Sequence, residues 1–129
     1  MRMVMTVLAL LLPGFAMAGT VELRVDARQA VTLPGTDATV MLTAVQDVRC
    51  PSDADCYWEG LIRVELTVTE GAASEVIVLC NLCDEATREA VVAGRQVTMM
   101  RLEPGRELLD KLSRLVVLED YTVVLAVAE

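Results

Sequence analysis

Along most of the chain apolar and polar residues alternate with a period of two, the pattern of strands that bury one face. Val21, Leu23 and Val25 alternate with Glu22, Arg24 and Asp26 between Thr20 and Ala27. Gln29 to Leu33 reads as a short edge strand running into the turn pair Pro34-Gly35. A longer strand is expected from Ala38 to about Val48, with Val40, Leu42 and Ala44 inward. The cleanest alternation follows, with Ile62, Val64, Leu66 and Val68 set against Arg63, Glu65, Thr67 and Thr69. Glu70 to Ser74 is then a hairpin turn into a β-branched partner strand, Glu75 to Leu79. Asp84 to Ala90 reads as a loop or a helical turn. Val91 to Ala93 and Arg95 to Leu102 read as strands about Gly94, stopped by Pro104-Gly105, and Tyr121, Val123, Leu125 and Val127 make the last strand.

The period changes once. Leu108, Leu109, Leu112, Leu115 and Val116 fall at helical spacing, with Glu107 and Lys111, and Asp110 and Arg114, as i, i+4 pairs. This predicts a short amphipathic helix from Arg106 to Val116. About seven short strands, turn signals every ~8–12 residues and one helical insert predict an all-β fold. The expected architecture is an antiparallel β-sandwich of roughly immunoglobulin-like size with one short helix. The strict alternation of strand and helix that a parallel sheet needs is missing.

One stretch breaks the alternation, Cys50-Pro51-Ser52-Asp53-Ala54-Asp55-Cys56-Tyr57-Trp58-Glu59-Gly60, between two strand-like segments. Its two cysteines, its proline and the only tryptophan of the chain predict a disulfide-pinned loop that sets the register of the strands it joins. Cys80 and Cys83 supply the other two cysteines. An even count in a small exported chain reads as two disulfides. Three connectivities are open, of which pairing by sequence proximity, Cys50 with Cys56 and Cys80 with Cys83, is the one we favour.

Export is read from the first residues. Met1 to Ala18 carries an early Arg2, an apolar run from Val4 to Leu12, a break at Pro13-Gly14 and the small-x-small site Ala16-Met17-Ala18. The apolar run is shorter than the ~20 residues a bilayer span needs, so this reads as a signal peptide over 1–18 followed by a single β-sandwich domain over 19–129. No membrane insertion is expected after cleavage, and the expected location is the periplasm or the exterior. Removal of Arg2 takes the formal charge from −8 to −9, with ten basic against nineteen acidic residues. Such a surface repels phosphate backbones and argues against nucleic-acid binding.

Chemistry is sparse. Histidine is absent, which closes Ser-His-Asp and Cys-His catalysis and every histidine-ligated metal site. There is no Gly-rich phosphate loop, and no cofactor is expected. Cys80-Asn81-Leu82-Cys83 is a CxxC behind a strand and before a possible helix, the local setting of thiol-disulfide exchangers. Asp84 and Glu85 beside it favour the neutral thiol, and no βαβ pattern surrounds it, so a crosslink is the plainer reading. Four-cysteine metal binding needs paired CxxC spacing, which is not present. Asp47, Asp53, Asp55 and Glu59 gather about the central loop without the spacing of a calcium loop, and read as a solvated acidic surface. Trp58 is expected to pack on the Cys50–Cys56 disulfide and the core, leaving Tyr57 as the exposed contact residue; Tyr121 is placed to hold a sandwich corner through its hydroxyl.

Asp47-Val48-Arg49-Cys50-Pro51 followed by Cys56-Tyr57-Trp58-Glu59-Gly60 resembles a motif of small exported bacterial proteins, Asp-x-Arg-Cys-Pro then Cys-x-Trp-x-Gly. The likeness is close over about Val45 to Val68 and loose over the last strand. It implies export, a disulfide and a β-fold, and no substrate. It also suggests structural roles: Pro51 stiffens the loop, Gly60 permits a tight exit into the next strand, and Arg49 pairs with Asp47 or a neighbouring carboxylate.

The resulting expectation is a non-enzymatic exported domain that binds or supports another exported protein or a small ligand. The candidate binding loop is Arg49, Pro51, Asp53, Asp55, Tyr57, Trp58 and Glu59. A periplasmic thiol-disulfide protein using Cys80 and Cys83, or a secreted protease inhibitor presenting the pinned loop, are the alternatives.

Overall fold

Among the described residues eight strands form, and hydrogen bonding sorts them into two four-stranded antiparallel sheets. The computed structural model describes residues 19–57 and 60–129. The expected signal peptide, and the roles expected of Trp58 and Glu59, lie outside the described residues. The strands are β1 (Thr20–Asp26), β2 (Val31–Thr32), β3 (Thr39–Arg49), β4 (Gly60–Glu70), β5 (Ala73–Cys80), β6 (Glu89–Val92), β7 (Arg95–Glu103) and β8 (Thr122–Ala128). One sheet runs β1-β8-β7-β6 and the other β2-β3-β4-β5. The chain is therefore an all-β antiparallel sandwich. Among the described residues no helix is long and apolar enough to cross a membrane.

Outside the second half of β3, the inward faces are those the alternation marks. Val25, Val64, Leu66, Leu79, Val123 and Leu125 are all fully buried and belong to one core between the sheets. Burying such side chains contributes roughly 1.5–3 kcal/mol each, the main force holding the layers together. Met99 is buried and Met100 half exposed, as neighbours on a strand require. On the outer face of the first sheet, buried Val124 is flanked in register by Arg24 and Arg101, which pair with Glu103 and Glu22. The apolar stems of the two arginines suit that position.

Three expectations fail. The edge strand expected over Gln29 to Leu33 shrinks to Val31–Thr32, and Ala44 does not face inward. Between Leu42 and Ala44 the register with β4 shifts: Thr43 is an extra residue, and its hydroxyl donates to the Glu65 carbonyl at 3.2 Å. A one-residue bulge reverses the parity of everything beyond it. Val45 then pairs with buried Val64, and Asp47 and Arg49 pair with Ile62 and Gly60, so both charged residues face between the sheets.

The helix expected from Arg106 to Val116 also shortens, to α1 (Arg106–Asp110). Only Leu109 of the apolar set is deeply buried, while Leu108 and Leu115 stay exposed. Gly105 at the N-cap makes no side-chain cap, and the polar groups that would support a longer helix bond elsewhere. Asp110 turns back to Ser52, and Arg114 pairs with Asp120, which also accepts the Val117 N–H at 2.9 Å. Five residues make a single turn and bury one leucine, too little to offset the cost of extending it.

Candidate functional site

Both disulfides of the favoured connectivity form, Cys50 with Cys56 and Cys80 with Cys83. The first closes the connection between β3 and β4. Its enclosed residues Pro51, Asp53 and Asp55, and the adjoining Tyr57, are exposed, Tyr57 fully so. The loop is nevertheless tethered. Asp110 of α1 accepts both the Ser52 N–H at 3.0 Å and the Ser52 hydroxyl at 2.8 Å. Those two Ser52 bonds, backbone first, hold the Asp110 carboxyl below its usual range, and Arg106 adds a further pull from 3.0 Å. Between loop and helix lies an open cleft of about 610 Å³ lined by Pro51, Ser52, Asp53, Glu107, Asp110 and Lys111.

Beneath the loop sits a charged clamp. Arg49 Nε and Nη2 donate to the two carboxylate oxygens of Asp47 at 2.8 and 2.9 Å, a bidentate pair. The other guanidinium donors cross to the opposite sheet, Nη1 to the Leu102 carbonyl and Nη2 to the Pro104 carbonyl, both at 3.0 Å. Tyr121 completes the crossing by donating its hydroxyl to Asp47 Oδ2 at 2.9 Å, and Arg106 stands 3.4 Å from the same oxygen. The Asp47 side chain is only 3% exposed. Burial by itself pushes its carboxyl up and is the largest single influence, yet the Arg49 bonds and the Tyr121 hydroxyl together hold it below 3.8. The Tyr121 hydroxyl is raised to about 12, by burial first and then by the adjacent carboxylate. The corner-holding role expected of Tyr121 is present, with a carboxylate as its partner.

Gly60 closes the loop at the point where it re-enters the sheet. Its φ is +86°, and a Cβ there would stand 2.5 Å from both Arg49 Cα and the Val48 oxygen. Only glycine fits so close to the opposing backbone.

Cys80–Cys83 is built differently. Cys80 is 1% exposed at the end of β5, and no helix follows Cys83. Asn81, between the cysteines, donates its N–H to the Ile62 carbonyl at 3.2 Å, while its side-chain Oδ1 accepts the Ile62 N–H at 2.8 Å. Its Nδ2 donates to the Gly60 carbonyl at 2.9 Å. The side chain thus takes the place of a backbone carbonyl in the ladder and lets the main chain turn away toward Cys83.

The structure brings together Arg49, Asp47 and Tyr121 but separates them from the exposed loop residues. Two site expectations are corrected. Arg49, expected in the binding loop, is committed beneath it, and Asp47, expected on a solvated acidic surface, is buried, both because the Thr43 bulge turns them inward. Ser52, Asn81 and Arg106 were not singled out by the sequence; the only legible signal was the position of Asn81 inside the CxxC. Compared with known families, curated proteins and solved structures, the chain finds no match in any of the three.

Proposed function

We propose that the protein is an exported, non-enzymatic binding domain that presents the Cys50–Cys56 loop, with Tyr57 at its side, to another exported protein or a small ligand. One observation carries the reading: the loop residues are exposed, yet the loop is covalently closed, tied to α1 through Ser52 and footed on the Asp47–Arg49–Tyr121 clamp. A loop ordered in advance loses little conformational entropy on binding, so more of its contact energy becomes affinity. The resemblance of the motif around it to exported bacterial proteins, and the Met1 to Ala18 pattern, support export.

Thiol-disulfide exchange through Cys80 and Cys83 is the weaker reading. A buried Cys80 with no helix N-terminus behind the pair lacks the features that stabilise and expose an attacking thiolate. Titration with a graded dithiol separates the two: a readily reduced Cys80–Cys83 pair supports redox work, and a resistant pair supports a crosslink. For binding, a photo-crosslinking residue at Tyr57 should capture one defined species in the exported fraction, and the same residue at exposed Val91 of β6 should not. Equal capture at both positions, or none at Tyr57, rejects the reading. A captured protease would identify the partner class as the one an inhibitory loop addresses.

A further inference from the structure

Four strands form the outer edges of the two sheets, and three of them are poor templates for another strand. β2 has two residues, β6 has four, and β1 carries Glu22, Arg24 and Asp26 within its seven. β5 has eight residues with Glu75 as its only charge. Short or charged edges resist pairing with a foreign strand; a long, sparsely charged edge invites it.

Hydrogen bonding shows which groups of β5 face outward. Cys80 donates its N–H to the Thr87 carbonyl at 2.9 Å, away from β4, while Asn81 on its far side bonds Ile62. Antiparallel strands alternate the side to which both backbone groups point. Hence Leu79, Ile77, Glu75 and Ala73 bond β4, and Val78, Val76 and Ser74 offer their N–H and C=O groups to the open edge. Among the described residues no backbone hydrogen bond joins those three to a neighbouring segment on that side. Val76, at their centre, is 59% exposed.

We propose that this edge pairs with the same edge of a second copy, antiparallel about a two-fold axis through Val76. The register places Val76 opposite its own counterpart and Ser74 opposite the partner's Val78. All outward groups of the three residues are then used, in about six hydrogen bonds. Glu75 falls opposite the partner's Ile77, so no like charges meet even though each chain is strongly acidic overall. The stretch is its own complement, as an isologous contact requires. Pairing ends where Cys80 is already bonded to Thr87 and where the hairpin turns at Gly71. So short a contact makes a weak dimer, populated at high concentration. It does not depend on the loop reading.

Sedimentation of the oxidised protein up to about 1 mM tests this, since weak association has its dissociation constant in that range. Val76→Pro removes an outward N–H and no bond to β4, so the variant should fold normally and raise the dissociation constant by about thirtyfold, two hydrogen bonds being lost across the axis. Val76→Lys, which sets two ammonium groups against each other at an exposed position, serves if the proline variant fails to fold. Amide exchange at Ser74, Val76 and Val78 should slow as wild-type concentration rises, and Tyr57→Ala should leave that change intact. A monomer at every concentration, a dimer that survives both Val76 substitutions, or an edge protected only by a strand from a different protein would overturn the proposal.

Discussion

The two cystine-bearing turns use the same covalent bond for opposite ends. Cys50–Cys56 closes a loop whose residues face solvent, and its order comes from what stands below it: Ser52 on Asp110, Gly60 against Arg49, and the clamp that crosses to Tyr121. Cys80–Cys83 closes a turn that is sewn into the sheet, one cysteine buried and the intervening Asn81 bonded to Ile62 and Gly60. The first turn displays side chains, and the second completes a strand ladder. A disulfide by itself therefore says little about role; the fate of the residues it encloses says more.

The sharpest way to break the comparison is at Gly60, which serves both turns by packing against Arg49 and accepting from Asn81. Gly60→Ala forces a Cβ into backbone and strains a positive φ, so a loss of about 4 kcal/mol or more is expected. Urea denaturation would measure it, and a near-wild-type midpoint would show that the two turns do not share this hinge.

Asp47→Asn tests the clamp alone. It leaves the part-buried Arg49 guanidinium without its counter-charge, and the expected cost is about 3 kcal/mol. The pH dependence follows from the same carboxylate. Its folded value is depressed, so its contribution is present at neutral pH and is lost as pH falls below 3.8 through the folded value. At the alkaline end Tyr121 is raised, so its contribution holds below 10 and fades as pH climbs toward about 12. Thermal melts across pH should show both limbs, the acid one shallower in Asp47→Asn and the alkaline one shallower in Tyr121→Phe.

The comparison itself is sharpened by removing one tether from each turn. Asn81→Ala leaves the Ile62 N–H and the Gly60 carbonyl without partners, at a cost of about 2 kcal/mol in the same denaturation experiment. Ser52→Ala removes only an exposed hydroxyl contact and should cost less than about 1 kcal/mol, with faster amide exchange confined to the Cys50–Cys56 loop. Similar costs for the two substitutions would mean that the turns are not built for different tasks.

Much of this was legible in local pattern. Val64, Leu66 and Leu79 are buried where the alternation puts them, because a strand's side chains change face at every residue whatever lies across from it. The resemblance to the motif of exported proteins suggested structural roles for Gly60 and Arg49, although Arg49 was also expected in the exposed loop. The helical spacing of Leu108, Leu112 and Leu115 misled, because periodicity marks which residues share a face and is silent on whether another element is there to cover it.

By itself the chain's order of residues determined most of the strands, the inward faces outside the second half of β3 and the sandwich class, since each follows from interactions between near neighbours and from the need to bury apolar area. Tertiary structure alone decided the parity of Asp47 and Arg49. That parity hangs on one extra residue at Thr43, stabilised by a bond to Glu65 on another strand, and on carbonyl and hydroxyl partners at Leu102, Pro104 and Tyr121 more than fifty positions away. A period of two carries no memory of an inserted residue, so which face a charge takes beyond a bulge is settled only when the second sheet arrives to receive it.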